Sequence, residues 1–196
     1  MSLVLASGSH SRKTLLTAAG VAYHADPADL DEDALMARLK ADGADAQAVA
    51  SELAAQKALH VARRHPGKLV LGGDSVIAFG DRLLSKCATL GEARALLREL
   101  SGRAHLLVSA TALARDGAIL WRHASLCHMR VRELGEAFLD DYLTREGAAL
   151  LSSVGCYRFE GLGAQLFEKV EGDYFSVLGL PLLPVLAALR REGELQ

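Results

Sequence analysis

Leu3-Val4-Leu5-Ala6-Ser7-Gly8-Ser9-His10-Ser11-Arg12-Lys13 decides how this chain folds. Its apolar start has the length of a buried strand, Ser7-Gly8-Ser9 is a small hydroxyl-rich turn, and Leu15 and Leu16 begin the apolar side of a helix. A strand that breaks through such a turn into a helix leaves several backbone N–H groups converging on one concavity. The helix dipole adds positive potential there, which favours an anion such as a phosphate. Arg12 and Lys13 in the first helical turn oppose that dipole. An anionic ligand would explain them; so would a plain capped turn carrying two solvated bases.

The alternation of strand and helix recurs downstream. The first helix is expected over about Ser11 to Ala19, stopping at Gly20. Val21 to His24 reads as a short strand, Asp26-Pro27 as a turn, and Asp29-Leu30-Asp31-Glu32-Asp33 as the acidic start of a helix. A longer helix is expected from about Ala46 to Arg64, ended by Pro66-Gly67. Leu69-Val70-Leu71-Gly72-Gly73 is a near-continuous apolar run and reads as a buried central strand, extended through Ser75 to Phe79 up to a turn at Gly80-Asp81. Gly91 to Leu100 reads as a helix. Ala104 to Ala114 and Ile119 to Val131, joined by Asp116-Gly117, carry the signature of a β-hairpin. Helices are expected again over Glu133 to Arg145 and, after Pro181, over Leu182 to Arg191. Interleaved helices with one antiparallel hairpin predict an α/β fold with a mixed sheet.

A length of 196 residues fits one domain, with 51% hydrophobic and 23% charged residues in the ordinary range for a soluble protein. A net charge of −2 argues against a nucleic-acid partner and confines any basic cluster to a small anion. No apolar run approaches the roughly 20 residues of a membrane span, and the N-terminus lacks the pattern of a secretory signal. Cys87, Cys127 and Cys156 are widely spaced and form neither a disulfide framework nor a zinc pattern. The cytoplasm is the expected location.

Asp74 is the sharpest single candidate for chemistry. It stands where a buried strand leaves the core, the usual place for reactive groups in α/β folds, and two glycines before it permit close approach. A turn-capping role is the plainer reading. Glu32 and Asp31 could join Asp74 around a divalent cation as hard oxygen ligands, or could simply open a solvated helix. Lys57 lies among alanines in Leu53-Ala54-Ala55-Gln56-Lys57-Ala58-Leu59, and Lys86 follows Leu83-Leu84-Ser85; either could meet a phosphate as a point charge or lie along the surface. His105, after Ser101-Gly102-Arg103-Ala104, reads as structural. The phosphate loop G-x-x-x-x-G-K-[ST], the G-x-S-x-G elbow and H-E-x-x-H are all missing, and no base accompanies Ser7 or Ser9 as a serine nucleophile.

Taken together these stretches resemble the Maf (septum-formation-inhibitor-like) nucleotide pyrophosphatases. The resemblance rests on Leu5-Ala6-Ser7-Gly8-Ser9 with Arg12, then Asp31-Glu32, Leu53-Ala54 to Lys57-Ala58 and Gly73-Asp74-Ser75-Val76. It continues through Ser85-Lys86, Leu100-Ser101-Gly102-Arg103-Ala104-His105, Glu160-Gly161-Leu162-Gly163, and Glu171-Gly172-Asp173 leading to Val177-Leu178-Gly179-Leu180-Pro181-Leu182. It covers almost the whole chain in order. It implies one α/β domain over residues 1–196, with helices flanking a mixed sheet and two lobes around a deep groove, similar to inosine-triphosphate pyrophosphatases. It also implies hydrolysis of a nucleoside triphosphate to the monophosphate and pyrophosphate with a divalent metal, Mg²⁺ or Mn²⁺. By position, Asp74 matches the proton acceptor. Ser9, Arg12, Lys57 and Lys86 match phosphate-handling groups, with Ser7 beside them, and Glu32 with Asp74 matches the acids near the metal. Expected partners are the nucleotide and a second copy of the chain as a homodimer, without nucleic acid or membrane.

Departures from the family pattern bear on specificity. His10-Ser11-Arg12 replaces Pro-Arg-Arg, Asp74-Ser75 replaces Asp-Thr, Lys86-Cys87 replaces Lys-Pro, and Glu160 replaces glutamine. The positions of Ser11, Ser75 and Glu160 help set base preference in the family. Glu160, with Leu166-Phe167-Glu168 and Glu171-Gly172 following, resembles the branch acting on 7-methyl-GTP more than the branch acting on dTTP and UTP. Separately, a carboxylate can accept from both N1–H and N2–H of guanine, which argues for a guanine-type base. Alternatively Glu160 caps a helix beginning near Gly161. A nucleotide-binding regulator of cell division with little turnover is the competing reading of the whole chain.

Overall fold

The computed structural model describes residues 3–196. Leu3 to Ala6 are buried, and only Val4–Leu5 is paired as strand β1. Backbone bonds from Val4 N to Leu69 O and from Ala6 N to Leu71 O, both 2.8 Å, tie it in parallel to β3, Val70–Phe79. Among the described residues, six strands of the mixed sheet run in the order β2-β1-β3-β5-β6-β7, with β2 at His24–Ala25, β5 at Ala104–Arg115, β6 at Ala118–Val131 and β7 at Phe167–Glu171. A short β4, Arg82–Leu83, pairs antiparallel with the end of β3. The flanking helices are α1 (His10–Ala18), α2 (Glu32–Ala41), α3 (Ala46–Ala62), α4 (Leu90–Leu100), α5 (Glu136–Glu146), α6 (Tyr174–Val177) and α7 (Leu182–Arg191). The expected α/β fold with a mixed sheet is what the chain adopts.

Packing divides the chain into two compact units. The first comprises residues up to Ser75, Val108–Ser125 and Asp173–Gln196; the second comprises Val76–Leu107 and Leu126–Gly172. The core of the first gathers Leu5 and Leu16 with Leu69, Leu71 and Leu113, closed by Leu180, Val185 and Leu189. In the second, Tyr157 lies edge-on to Phe167 at 4.9 Å between ring centroids, and His105 packs against both.

Several expectations are corrected by where backbone groups find partners. Val21 is not in a strand: its N–H bonds Leu16 O and that of Gly20 bonds Thr17 O, closing α1 through Gly20 at φ 71° and delaying β2 to His24. The helix expected from Glu133 begins at Glu136, because Arg132 N bonds Leu166 O and Leu134 N bonds Ser101 Oγ, leaving Gly135 to start the turn. α3 ends at Ala62, short of Arg64. β4, β7 and α6 carry little apolar periodicity and escape the sequence reading. The hairpin stands, with Asp116 and Gly117 both at positive φ, as a two-residue turn between right-twisted strands requires.

Candidate active site

Asp74 lies on β3, and α3 packs directly over the preceding residues. A Cβ on Gly72 would run into the Ala54 carbonyl oxygen and would sit 2.7 Å from Ala58 N, so this helix and strand approach as closely as backbones allow. Lys57 shares the helix face of Ala54, Ala58 and Val61, all fully buried, and its stem is therefore drawn inward. Its Nζ meets Asp74 Oδ1 at 2.6 Å and Glu32 Oε2 at 2.8 Å. One ammonium thus bridges the two carboxylates.

Glu32 is the first residue of α2. Asp31 accepts a hydrogen bond from Ala34 N at 2.9 Å as the N-cap, which frees Glu32 to reach Lys57. Of the two acids expected to join Asp74, Asp31 is spent on the helix and Glu32 belongs to the cluster.

Arg12 turns inward from α1. Its Nε donates to Gly179 O at 2.8 Å, Nη1 to Ser7 Oγ at 3.1 Å and Nη2 to Ser75 Oγ at 3.0 Å. Gly73 makes room: a Cβ there would press on the guanidinium at 3.1 Å. Ser9 caps α1 through Arg12 N, and Ser11 lies in the first turn. The capped-turn reading of this segment therefore holds for Ser9, while Arg12 is no solvated base: it is 8% exposed, like Lys57, with Asp74 at 7%.

Burial drives the electrostatics. Loss of water pushes the Asp74 carboxyl above the ordinary carboxylate range; Lys57 and then Arg12 oppose the rise, and Glu32 adds to it. Burial likewise lowers Arg12, with Asp74 and Glu32 resisting. A carboxylate short of water, raised above its ordinary range and held by cations has the makings of a general base beside an anion. Among the described residues no group of three or more His, Cys, Asp or Glu side chains could hold a metal ion. Two carboxylates facing one cation still suit a hard divalent ion that takes its remaining ligands from water and phosphate.

Sequence reasoning missed the groups behind Ser75. Ser109 Oγ lies 3.1 Å from Ser75 Oγ and donates to Ser176 O at 2.7 Å. Ser176 is held in turn by Asp173, whose Oδ2 accepts from its N–H at 2.8 Å and its hydroxyl at 2.7 Å. The available signal was a serine inside an apolar strand, Leu107-Val108-Ser109-Ala110.

Lys86 and Glu160 fall in the second unit. Lys86 is exposed in the segment between β4 and α4. Glu160 is not a helix cap: the 3₁₀ turn Leu162–Leu166 starts at Gly161 with no side-chain cap bond, and Glu160 Oε1 lies 4.0 Å from Arg158 Nε. His105 is buried, shares a 3.0 Å bond with Tyr157 and is lowered to about 4, in keeping with a structural role.

Relatives align with this chain almost end to end. The chain is 48% identical over 190 residues to a 7-methyl-GTP pyrophosphatase of Brucella abortus, with 97% of this chain and 96% of that protein covered. It is 49% identical over 193 residues to a 7-methyl-GTP pyrophosphatase of Mesorhizobium japonicum, covering 98% and 97%. It is 44% identical over 195 residues to a nucleoside triphosphate pyrophosphatase of Granulibacter bethesdensis, covering 100% and 99%. The profile of the Maf-like protein family matches residues 2–192, and with these relatives it establishes that the chain belongs to that family.

Proposed function

We propose that this protein hydrolyses a nucleoside triphosphate to the monophosphate and pyrophosphate. The observation that carries the reading is the buried carboxylate of Asp74, clasped by Lys57 and neighboured by Arg12 in a chain whose relatives are named as pyrophosphatases. Asp74 takes the proton of a water attacking the α-phosphorus. The same cations that oppose the rise of the Asp74 carboxyl present positive potential to the polyphosphate. Lys57 stands between Asp74 and Glu32 and holds both acids in place. Lys86 is a further phosphate-handling group by its motif position.

A divalent cation, Mg²⁺ or Mn²⁺, would be held by Glu32 and Asp74 and would neutralise phosphate charge when bound. For the base, the relatives named for 7-methyl-GTP and the carboxylate at Glu160 support a guanine-type nucleotide. A carboxylate accepts two adjacent donors, and a pyrimidine that offers only one would leave it underpaired.

Pyrophosphate release across 7-methyl-GTP, GTP, dTTP and UTP tests both levels. Release from the guanine nucleotides ahead of the pyrimidines is expected, and Glu160→Gln should narrow the difference. Binding without release from any of them overturns the hydrolytic reading; a preference for dTTP or UTP overturns the reading of Glu160 alone.

A further inference from the structure

Each hydrogen bond behind Arg12 has only one possible direction. Ser176 O is a carbonyl and can only accept, so Ser109 spends its proton there, at 2.7 Å. Ser109 must then accept at 3.1 Å from Ser75, whose own proton is thereby committed. Ser75 in turn has only lone pairs left for Arg12, whose Nη2 donates to it at 3.0 Å. The far end is anchored, because Asp173 takes both the N–H and the hydroxyl of Ser176. Ser109 and Ser176 are fully buried, so no water competes at that end of the chain of bonds.

We propose that Ser109 is a positioning residue for the hydrolysis, fixing the polarity of the relay Arg12 to Ser75 to Ser109 to Ser176 so that Ser75 acts as an acceptor for the Arg12 guanidinium and not as a donor to phosphate. The inference rests on the hydrolytic reading above for its kinetic consequence and on geometry alone for its structural one. With Ser109 in place the guanidinium is held from three sides, by Gly179 O, Ser7 and Ser75. Without it, the Ser75 hydroxyl still accepts from Arg12 but loses the buried acceptor that anchors it, so its side chain can swing to another rotamer and loosen one of the three holds. Asp74 is faced by Lys57 from α3, Arg12 from α1 and Glu32 from α2. A looser Arg12 holds its charge less firmly beside Asp74 and the polyphosphate, so kcat falls.

The experiment compares the native protein with Ser109→Ala, Ser109→Thr and Ser75→Ala, using steady-state kinetics and nitrogen-15 spectra of the arginine side chains, with Arg12→Lys to assign the Arg12 signal. In the native protein Arg12 should show a guanidinium with hindered rotation. Ser109→Ala should lose that hindrance and lower kcat about five- to tenfold with KM little changed. Ser109→Thr, which keeps the hydroxyl, should restore both. Should Ser109→Ala not fold, Ser75→Ala breaks the same relay at a half-buried position and should free Arg12 likewise. Native-like Arg12 signals in whichever alanine variant folds would overturn the relay. Failure of the native protein to release pyrophosphate would instead overturn the hydrolytic reading, leaving the spectra to decide the relay by themselves.

Discussion

At Asp74, function and stability pull in opposite directions. Its carboxyl is raised above its ordinary value of 3.8, with burial the chief cause. A group raised in the folded state favours folding while protonated, and that benefit is lost as pH rises through the folded value. Ionised Asp74 is therefore a cost to the fold at neutral pH. Asp74→Asn should abolish turnover yet melt at the same temperature as the native protein or higher, with the difference closing in acid as the native carboxyl protonates. Thermal melts across pH check this, and a markedly lower melting temperature at neutral pH would contradict it. His105 shows the complementary sign: burial lowers it from 6.5 to about 4, so the stability of its neutral form is intact above 6.5 and lost as pH falls toward 4. That shift corresponds to at most about 3 kcal/mol. Urea unfolding between neutral pH and pH about 4 should show a loss that His105→Gln flattens.

For whole elements, the site depends on how closely α3 approaches β3. Gly72 faces Ala54 and Ala58, and Lys57 sits between those alanines in sequence. Gly72→Ala should force the two elements apart, cost about 1–3 kcal/mol by overpacking and lower kcat by misplacing Lys57 against Asp74. Chemical denaturation and kinetics on the same variant measure both effects. This is also the level at which the sequence was most and least legible. The Leu3–Lys13 stretch, the Leu69–Gly73 run and the Asp116-Gly117 turn each combine an apolar pattern with a local stop signal, and each element formed where expected. The strand at Val21 and the helix start at Glu133 failed because their backbone groups are claimed by Leu16, Leu166 and Ser101. Residue types named Asp74, Lys57 and Glu32 as candidates. Their joining through one ammonium, the inward turn of Arg12 and the hydroxyl relay behind Ser75 arise from tertiary packing that no local pattern encodes.

For the molecule as a whole, membership of the Maf-like family and the Asp74 cluster agree on one chemistry, water attack on a nucleoside triphosphate. No helix among the described residues is long and apolar enough to cross a membrane, and the net charge of −2 leaves the cationic groups around Asp74 as a local feature suited to a small polyanion. The most direct test of the central claim is hydrolysis of the accepted triphosphate in water enriched in heavy oxygen, followed by mass spectrometry of both products. Attack at the α-phosphorus predicts the label in the nucleoside monophosphate and none in the pyrophosphate. Label in the pyrophosphate, or release of free phosphate in its place, would contradict the account.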